Sequence, residues 1–191
     1  MKKLLVLTAL LAFVFFGCNT DSSIVEPDMS ISTLGKTEVN WIKLPVSKDG
    51  MLKKDVLVGQ DVEGAIGATL AISDSYEGLN GPVSMSASLQ FLPGAFDSSR
   101  YITMNINDQF GEGTFSPHGV FDIPAVYNIT ISGVDLTGIN PATITFVYLA
   151  EDGTYEYPVN DGITADLTTG TLQIVNAQLP HFSRYGFTNE D

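Results

Sequence analysis

Few residues of this chain have side chains suited to nucleophilic, acid-base or metal chemistry, apart from its many hydroxyls and carboxylates. The sequence contains one cysteine, Cys18, and two histidines, His118 and His181. Two histidines and one cysteine cannot complete the ligand set of a typical zinc site. No Gly-x-Ser-x-Gly elbow is present to position a serine for a Ser-His-Asp triad. The sequence therefore predicts no cofactor, no metal site and no conventional catalytic site, and it leaves Cys18 to be explained.

Cys18 ends a segment with the layout of an export signal. Lys2 and Lys3 are followed by the uncharged apolar run Leu4–Phe16 and then by Gly17. A run of about 13 residues is shorter than the ~20 that a helix needs to cross a membrane. The ending resembles a bacterial lipobox, in which a small residue precedes a cysteine that receives diacylglycerol. Residues 1–17 are therefore predicted to be a lipoprotein signal peptide, with plain secretion and a retained anchor as the alternatives.

The residues after Cys18 are strongly acidic. The whole chain has a net charge of −13, which becomes −15 once Lys2 and Lys3 are removed with the leader. Nucleic-acid binding needs clustered Lys and Arg, whereas the only arginines here are Arg100 and Arg184. Anionic lipid headgroups would also repel this body, so membrane attachment should depend on lipid at Cys18. No nucleic-acid partner is expected.

Residues 18–40 are predicted to be the lipidated cysteine and a flexible tether. This stretch is polar and has no sustained hydrophobic period, although an edge strand near Ile31–Leu34 is the alternative. In Gram-negative lipoproteins that this segment resembles, an aspartate after the cysteine retains the protein in the inner membrane. Asn19 is not aspartate, which favours the outer membrane.

From residue 41 onwards the hydrophobic pattern is that of β-strands. In Met85–Phe91, for example, apolar residues alternate with Ser86, Ser88 and Gln90. Turn signals such as Asn80-Gly81 separate the segments, and their spacing suits antiparallel hairpins. The pattern predicts an all-β fold, a single antiparallel β-sandwich over 41–191, with a closed barrel as the alternative. The predicted strands are Ala68–Ile72, Val83–Leu92, Tyr101–Ile106, Tyr127–Ile131, Thr143–Leu149, Thr154–Tyr157 and Gly170–Val175.

Three motifs resemble the ZU-five domain, the β-sandwich module of zonula occludens, netrin-receptor and ankyrin proteins. They are Leu89–Phe96 with its Pro-Gly-Ala turn, Phe115–Phe121 followed by Pro124-Ala125, and Leu179–Tyr185 with its His-Phe-Ser-x-Tyr sequence. The likeness covers about 64–187 and predicts one closing strand over Leu179–Phe187. It implies a non-enzymatic interaction or structural module, held to the cell envelope through Cys18, with an unidentified protein or glycan partner.

The resemblance also implies a self-cleavage hypothesis for His181-Phe182-Ser183. In some relatives a His-Phe-Ser site cleaves itself between Phe and Ser. On this chain the Ser183 hydroxyl would attack the Phe182 carbonyl with His181 as base, on the expectation that positions 181 and 183 share one face of a strand. The alternative is that Phe182 fills the core while His181, Ser183 and Tyr185 lie along the final strand, partly solvated.

Two binding alternatives complete the sequence-based predictions. Calcium takes oxygen ligands, which loop residues could supply in either of two groups. Carbohydrate could stack on Trp41 and Tyr76, although an aromatic residue before a strand more often packs in the core. The two calcium groups are Asn105, Asn107, Asp108 and Glu112, and Asp74, Glu77 and Asn80.

Overall fold

The computed structural model of the chain describes residues 39–49, 55–150 and 153–190. Within these residues the chain forms eleven strands and one short 3-10 helix, Pro141–Thr143. The strands are β1 Val56–Glu63, β2 Ala68–Gly78, β3 Gly81–Phe91, β4 Ser99–Ile106, β5 Glu112–Ser116, β6 Val120–Ser132, β7 Ile144–Leu149, β8 Tyr155–Glu156, β9 Gly162–Asp166, β10 Thr171–His181 and β11 Arg184–Asn189. Each of the seven predicted strands coincides with one of these elements.

The strands form two antiparallel sheets that pack against each other. One sheet has six strands in the order β1-β4-β5-β11-β7-β8, and the other has five in the order β2-β3-β6-β10-β9. Side chains from both sheets share one apolar core. The predicted all-β sandwich is therefore confirmed, and the closed-barrel alternative is wrong because the strands divide between two separate sheets.

Strand β3 illustrates how the alternating sequence specifies the sandwich. Met85, Ala87 and Leu89 are buried in the core, whereas Ser84 and Ser86 are exposed on the outer face. The strand pairs with β2 on one side and β6 on the other. A slip of one residue would turn the apolar side chains to solvent, so the alternation itself defines the register of the central strands.

Three strands escaped the sequence-based prediction because they lack a clear apolar alternation. β5 begins at Glu112, inside a Gly-Glu-Gly sequence that is typical of turns, and β9 is only 5 residues long. β1 pairs with β4 from Val56 opposite Ile106 to Glu63 opposite Ser99. Because β1 precedes residue 64, the ZU-five-like core expected over 64–187 leaves out one strand of the sandwich.

The prediction of one closing strand over Leu179–Phe187 is also wrong. β10 ends at His181 in the five-stranded sheet, and β11 begins at Arg184 in the six-stranded sheet. Phe182 and Ser183 form the corner between them. The buried apolar residues Leu179, Phe182 and Tyr185 are spaced three apart here, so the period of two breaks at the corner where the chain changes sheet.

The segment before β1 lies along the six-stranded sheet. Trp41 forms a bridge with Thr188, and its side chain is 9% exposed. The guanidinium carbon of Arg184 lies 5.4 Å from the centre of its ring. A Cβ on Gly186 would come within 2.7 Å of the Trp41 ring, so the ring rests directly on the backbone of β11. Trp41 is therefore part of the packed structure.

Glu112 is a buried carboxylate at the start of β5, with 6% of its surface exposed. Its Oε2 atom accepts no hydrogen bond within the described residues and lies 3.7 Å from Arg184 Nε. Burial raises the pKa of the Glu112 carboxyl, and the nearby Arg184 charge offsets this effect only in part. Folding therefore favours the protonated form of Glu112.

We expect Glu112→Gln to stabilise the protein at neutral pH. Folding raises the pKa of Glu112. The stability that this carboxyl contributes is therefore fully present below its unfolded pKa and is lost as the pH rises through its folded pKa. The substitution should increase the free energy of unfolding by about 1 kcal/mol at pH ~7 and by much less at pH ~4. Guanidinium denaturation at both pH values measures this difference. Glu77→Gln, at an exposed position of β2, is the control. An equal effect of Glu112→Gln at both pH values would contradict the raised pKa of Glu112.

Several sequence-based predictions concern residues outside the described ranges. The signal peptide 1–17, the lipid attachment site Cys18, the tether up to residue 38 and the alternative strand at Ile31–Leu34 all lie there. Among residues 39–49, 55–150 and 153–190, no helix has the length and apolar character needed to cross a membrane.

Candidate functional site

The segment His181-Phe182-Ser183 forms the corner at which the chain crosses between the sheets, and neighbouring strands hold its backbone. The Phe182 N–H donates to the Gly119 carbonyl at 3.1 Å, and the Ser183 carbonyl accepts from the Phe115 N–H at 2.9 Å. The three residues are therefore adjacent to both sheets. They do not share the strand face that the cleavage hypothesis assumed, because β10 ends at His181.

Phe182 occupies the centre of an aromatic cluster in the core. Its side chain is 2% exposed. Its ring centroid lies 4.7 Å from that of Phe121, 5.4 Å from Phe115 and 5.7 Å from Phe91. These contacts join residues of both sheets, so the alternative prediction that Phe182 fills the core is confirmed. Its placement of Tyr185 partly in solvent is wrong, because that side chain is 1% exposed and packs against Phe115 and Phe146.

The imidazole of His181 is held by three side chains. Its Nε2 atom lies 3.3 Å from Glu156 Oε2, and its ring packs edge-on against Tyr148 at 4.5 Å. The Tyr185 hydroxyl donates to the His181 carbonyl at 2.8 Å and lies 3.4 Å from Nδ1. Because a carboxylate only accepts, the Nε2 atom carries the proton in this arrangement.

His118, and not His181, contacts the Phe182 carbonyl. The His118 Nδ1 atom lies 3.0 Å from that oxygen, and a carbonyl only accepts, so Nδ1 donates its proton there. In the described part of the chain, no hydrogen bond joins the Ser183 hydroxyl to either imidazole. The nucleophile and base that the cleavage reaction requires are thus not paired, although the carbonyl has a donor.

A pocket opens beside this corner, where the ends of the two sheets meet. Its volume is about 260 Å³. The side chains of β8 and the following loop form one wall, and residues of β6, β7, β10 and β11 form the rest. We call it the tyrosine pocket; it is lined by Tyr148, Tyr157, Tyr185, Pro124, Pro158, Pro180, Val159, Glu156 and Gln178. A concave, largely apolar site with a few polar groups is the usual form of a small-ligand site.

The outer face of the five-stranded sheet has a different character. It carries a shallow depression of about 370 Å³ in which small polar side chains, among them Ser73, Ser86, Ser88 and Thr130, project from neighbouring strands. None of the residues that line the depression is charged. Hydroxyls of this kind can hydrogen-bond a partner, but without an adjacent base they have no means of activation.

In the first group proposed for calcium, the side chains of Asn105 and Asn107 are engaged in other contacts. Asn105 Nδ2 donates to Asp55 at 2.8 Å, and the Asp108 N–H donates to the same carboxylate at 3.1 Å. Asn107 Oδ1 accepts from the backbone of the two residues Gln109 and Phe110. Within the described ranges, no group of three or more His, Cys, Asp or Glu side chains is arranged to hold a metal ion.

The aromatic pair proposed for carbohydrate does not form an exposed platform. Trp41 is buried beneath Arg184, as described above. The Tyr76 hydroxyl donates to the Pro45 carbonyl at 2.7 Å, and its side chain is part-buried. The predicted stacking platform is wrong because the Trp41 ring is buried and Tyr76 is part-buried against the segment that contains Pro45. Tyr157 in the tyrosine pocket and Tyr101 on β4 are exposed aromatic side chains.

Comparison of the chain with models of protein families, with curated proteins and with solved structures found no match.

Proposed function

We propose that the chain is a lipid-anchored protein of the bacterial cell envelope, in the outer membrane, and that its sandwich is a non-catalytic interaction or structural module of the ZU-five type. The proposal that the module is non-catalytic is supported by the geometry of His181-Phe182-Ser183. Phe182 packs in the core, and His181 is bound to Glu156 and Tyr185 rather than to Ser183. These residues serve as a structural corner.

The anchor is supported by the sequence alone. The apolar run Leu4–Phe16 is followed by Gly17 and Cys18. The full chain has a net charge of −13, and the chain without its leader, which contains Lys2 and Lys3, has a net charge of −15. An acidic body has no electrostatic attraction to an anionic membrane, whereas an acyl chain contributes about 0.8 kcal/mol per buried CH₂. Lipid on Cys18 is therefore the means of attachment.

Metabolic labelling tests this function. Cells that express the full chain are grown with an alkyne-bearing fatty acid, and the label on the protein is read after gel separation. We expect labelled protein in the outer-membrane fraction. We also expect the fatty acid that is amide-linked to the amino group of Cys18 to stay attached after treatment with hydroxylamine. An unlabelled protein that is released to the soluble fraction would contradict the proposal.

One observation favours a second candidate, a self-processing domain that cleaves between Phe182 and Ser183. His118 donates to the Phe182 carbonyl at 3.0 Å, which is where an oxyanion would develop. A base for Ser183 would have to come from a rearranged His181, whose contacts with Glu156 and Tyr185 would first break.

We expect the purified protein to stay a single chain in the wild type and in Ser183→Ala alike, because among the described residues neither imidazole hydrogen-bonds the Ser183 hydroxyl. Denaturing electrophoresis and mass spectrometry after prolonged incubation measure this. The variant His118→Ala tests whether the contact of His118 with the Phe182 carbonyl contributes to cleavage. A fragment ending at Phe182 in the wild type, absent from Ser183→Ala and reduced in His118→Ala, would establish the second candidate in place of the first.

A further inference from the structure

The tyrosine pocket lies between β8 with its following loop and residues of β6, β7, β10 and β11, and two of its most exposed side chains are largely apolar. Tyr157 is 59% exposed and Val159 is 75% exposed, both in the loop that follows β8. Tyr148 and Tyr185 contribute aromatic rings from the six-stranded sheet, with centroids 5.3 Å apart. The pocket therefore presents aromatic surface to any ligand that enters it.

The electrostatic field in this pocket is negative. The Glu156 side chain is 59% exposed at the rim, and its charge adds to burial in raising the pKa of the Tyr185 hydroxyl. Glu190 accepts a hydrogen bond from the Tyr157 hydroxyl at 2.7 Å and raises the pKa of that tyrosine. No lysine or arginine is among the described residues that line the pocket. An anionic ligand would be repelled here.

The hydroxyl protons of two of the tyrosines are already directed to the protein. Tyr157 donates to Glu190 at 2.7 Å, and Tyr185 donates to the His181 carbonyl at 2.8 Å. The exposed ring of Tyr157 can offer a ligand its π-face, and Glu156 offers a carboxylate that only accepts hydrogen bonds. A neutral sugar would need more donors from the protein. A cation is attracted both by aromatic faces and by a carboxylate.

We propose that the tyrosine pocket binds an organic cation of the quaternary ammonium class, and this deepens the proposed function by naming the partner chemistry of the module. The cationic head lies against the rings of Tyr148 and Tyr157, and Glu156 supplies the counter-charge. A volume of about 260 Å³ accommodates a trimethylammonium group and a short chain. The same head occurs in free choline and in the headgroup of a zwitterionic lipid.

Titration with choline tests this binding directly. The full chain is held in a maltoside detergent, which has no ammonium group, and binding is followed by calorimetry. The neutral isostere 3,3-dimethylbutan-1-ol has the same shape without the charge. We expect saturable binding of choline and binding of the isostere that is weaker by about tenfold, because the cation-π and carboxylate attractions are both lost.

Matched variants locate the site. Tyr157→Ala and Glu156→Gln should each weaken choline binding by about tenfold. Tyr101→Ala is the control, since Tyr101 is 60% exposed on β4, near the opposite edge of the same sheet. Guanidinium denaturation confirms that each variant is folded, and exposed substitutions of this kind change stability by no more than about 0.5 kcal/mol.

Glycerophosphocholine distinguishes the two sources of the ligand. Tighter binding than choline indicates a lipid headgroup, and weaker binding indicates a free cation, because Glu156 and Glu190 repel the phosphate; either result supports the proposal. Equal affinity for choline and its isostere, no saturable choline binding, or unchanged binding in both Tyr157→Ala and Glu156→Gln would overturn it. Such a failure leaves fatty-acid labelling of Cys18 unaffected, so it is distinguishable from failure of the proposed function.

Discussion

Phe182→Ala is expected to lower the free energy of unfolding by about 3–5 kcal/mol, which is a large part of the stability of a domain of this size. The Phe182 ring is 2% exposed and contacts Phe91, Phe115 and Phe121, so truncation leaves a cavity where the two sheets meet. The surrounding side chains belong to both sheets and can relax into this cavity only in part.

Guanidinium denaturation followed by tryptophan fluorescence measures this loss. Trp41 is the only tryptophan in the chain and is 9% exposed in the folded protein, so its emission reports unfolding of the sandwich. Val120→Ala, at a residue that is 74% exposed, should change the free energy by no more than about 0.5 kcal/mol. A loss below about 1 kcal/mol in Phe182→Ala would contradict its place in the core.

Cys18→Ser is expected to move the protein almost completely from the membrane fraction to the soluble fraction. In the proposed function, acyl chains on Cys18 would supply the attachment energy, at about 0.8 kcal/mol per buried CH₂, and the acidic body would supply none. Detergent phase partitioning and immunoblotting of cell fractions measure the shift.

The control for this substitution lies a few residues along the same segment. Ser22→Ala leaves Cys18 intact and should fractionate with the membrane as the wild type does. Retention of Cys18→Ser in the membrane fraction would show that attachment depends on the leader as an uncleaved anchor or on another surface.

The sequence predicts the central strands well because one face of each is buried. In β3, Met85, Ala87 and Leu89 alternate with serines, and burial enforces this period. Strands with little burial or with glycine at their ends, such as β1 and β5, lack the pattern. The corner at Phe182-Ser183 does interrupt the period, since Leu179, Phe182 and Tyr185 are spaced three apart, but a break of this kind does not tell which sheet the next strand joins.

The contacts within the candidate site could not be predicted, because they join residues far apart in the sequence. His181 is identifiable as one of two histidines, but its partner Glu156 lies 25 positions away and meets it only through the packing of β8 against β7. The contact of His118 with the Phe182 carbonyl likewise joins residues 64 positions apart. The sequence Tyr155-Glu156-Tyr157-Pro158 was a signal for the tyrosine pocket, since it concentrates aromatic, acidic and rigid residues in a short segment.

The central claim is that this chain is a lipidated protein whose His181-Phe182-Ser183 corner is structural. The intact mass of the full-length protein, extracted from membranes with detergent and measured under denaturing conditions, tests both parts at once. We predict a single species that begins at Cys18, carries the added mass of acyl chains and extends to Asp191. An unmodified Cys18, an uncleaved leader, or a species that lacks Ser183–Asp191 would contradict this account.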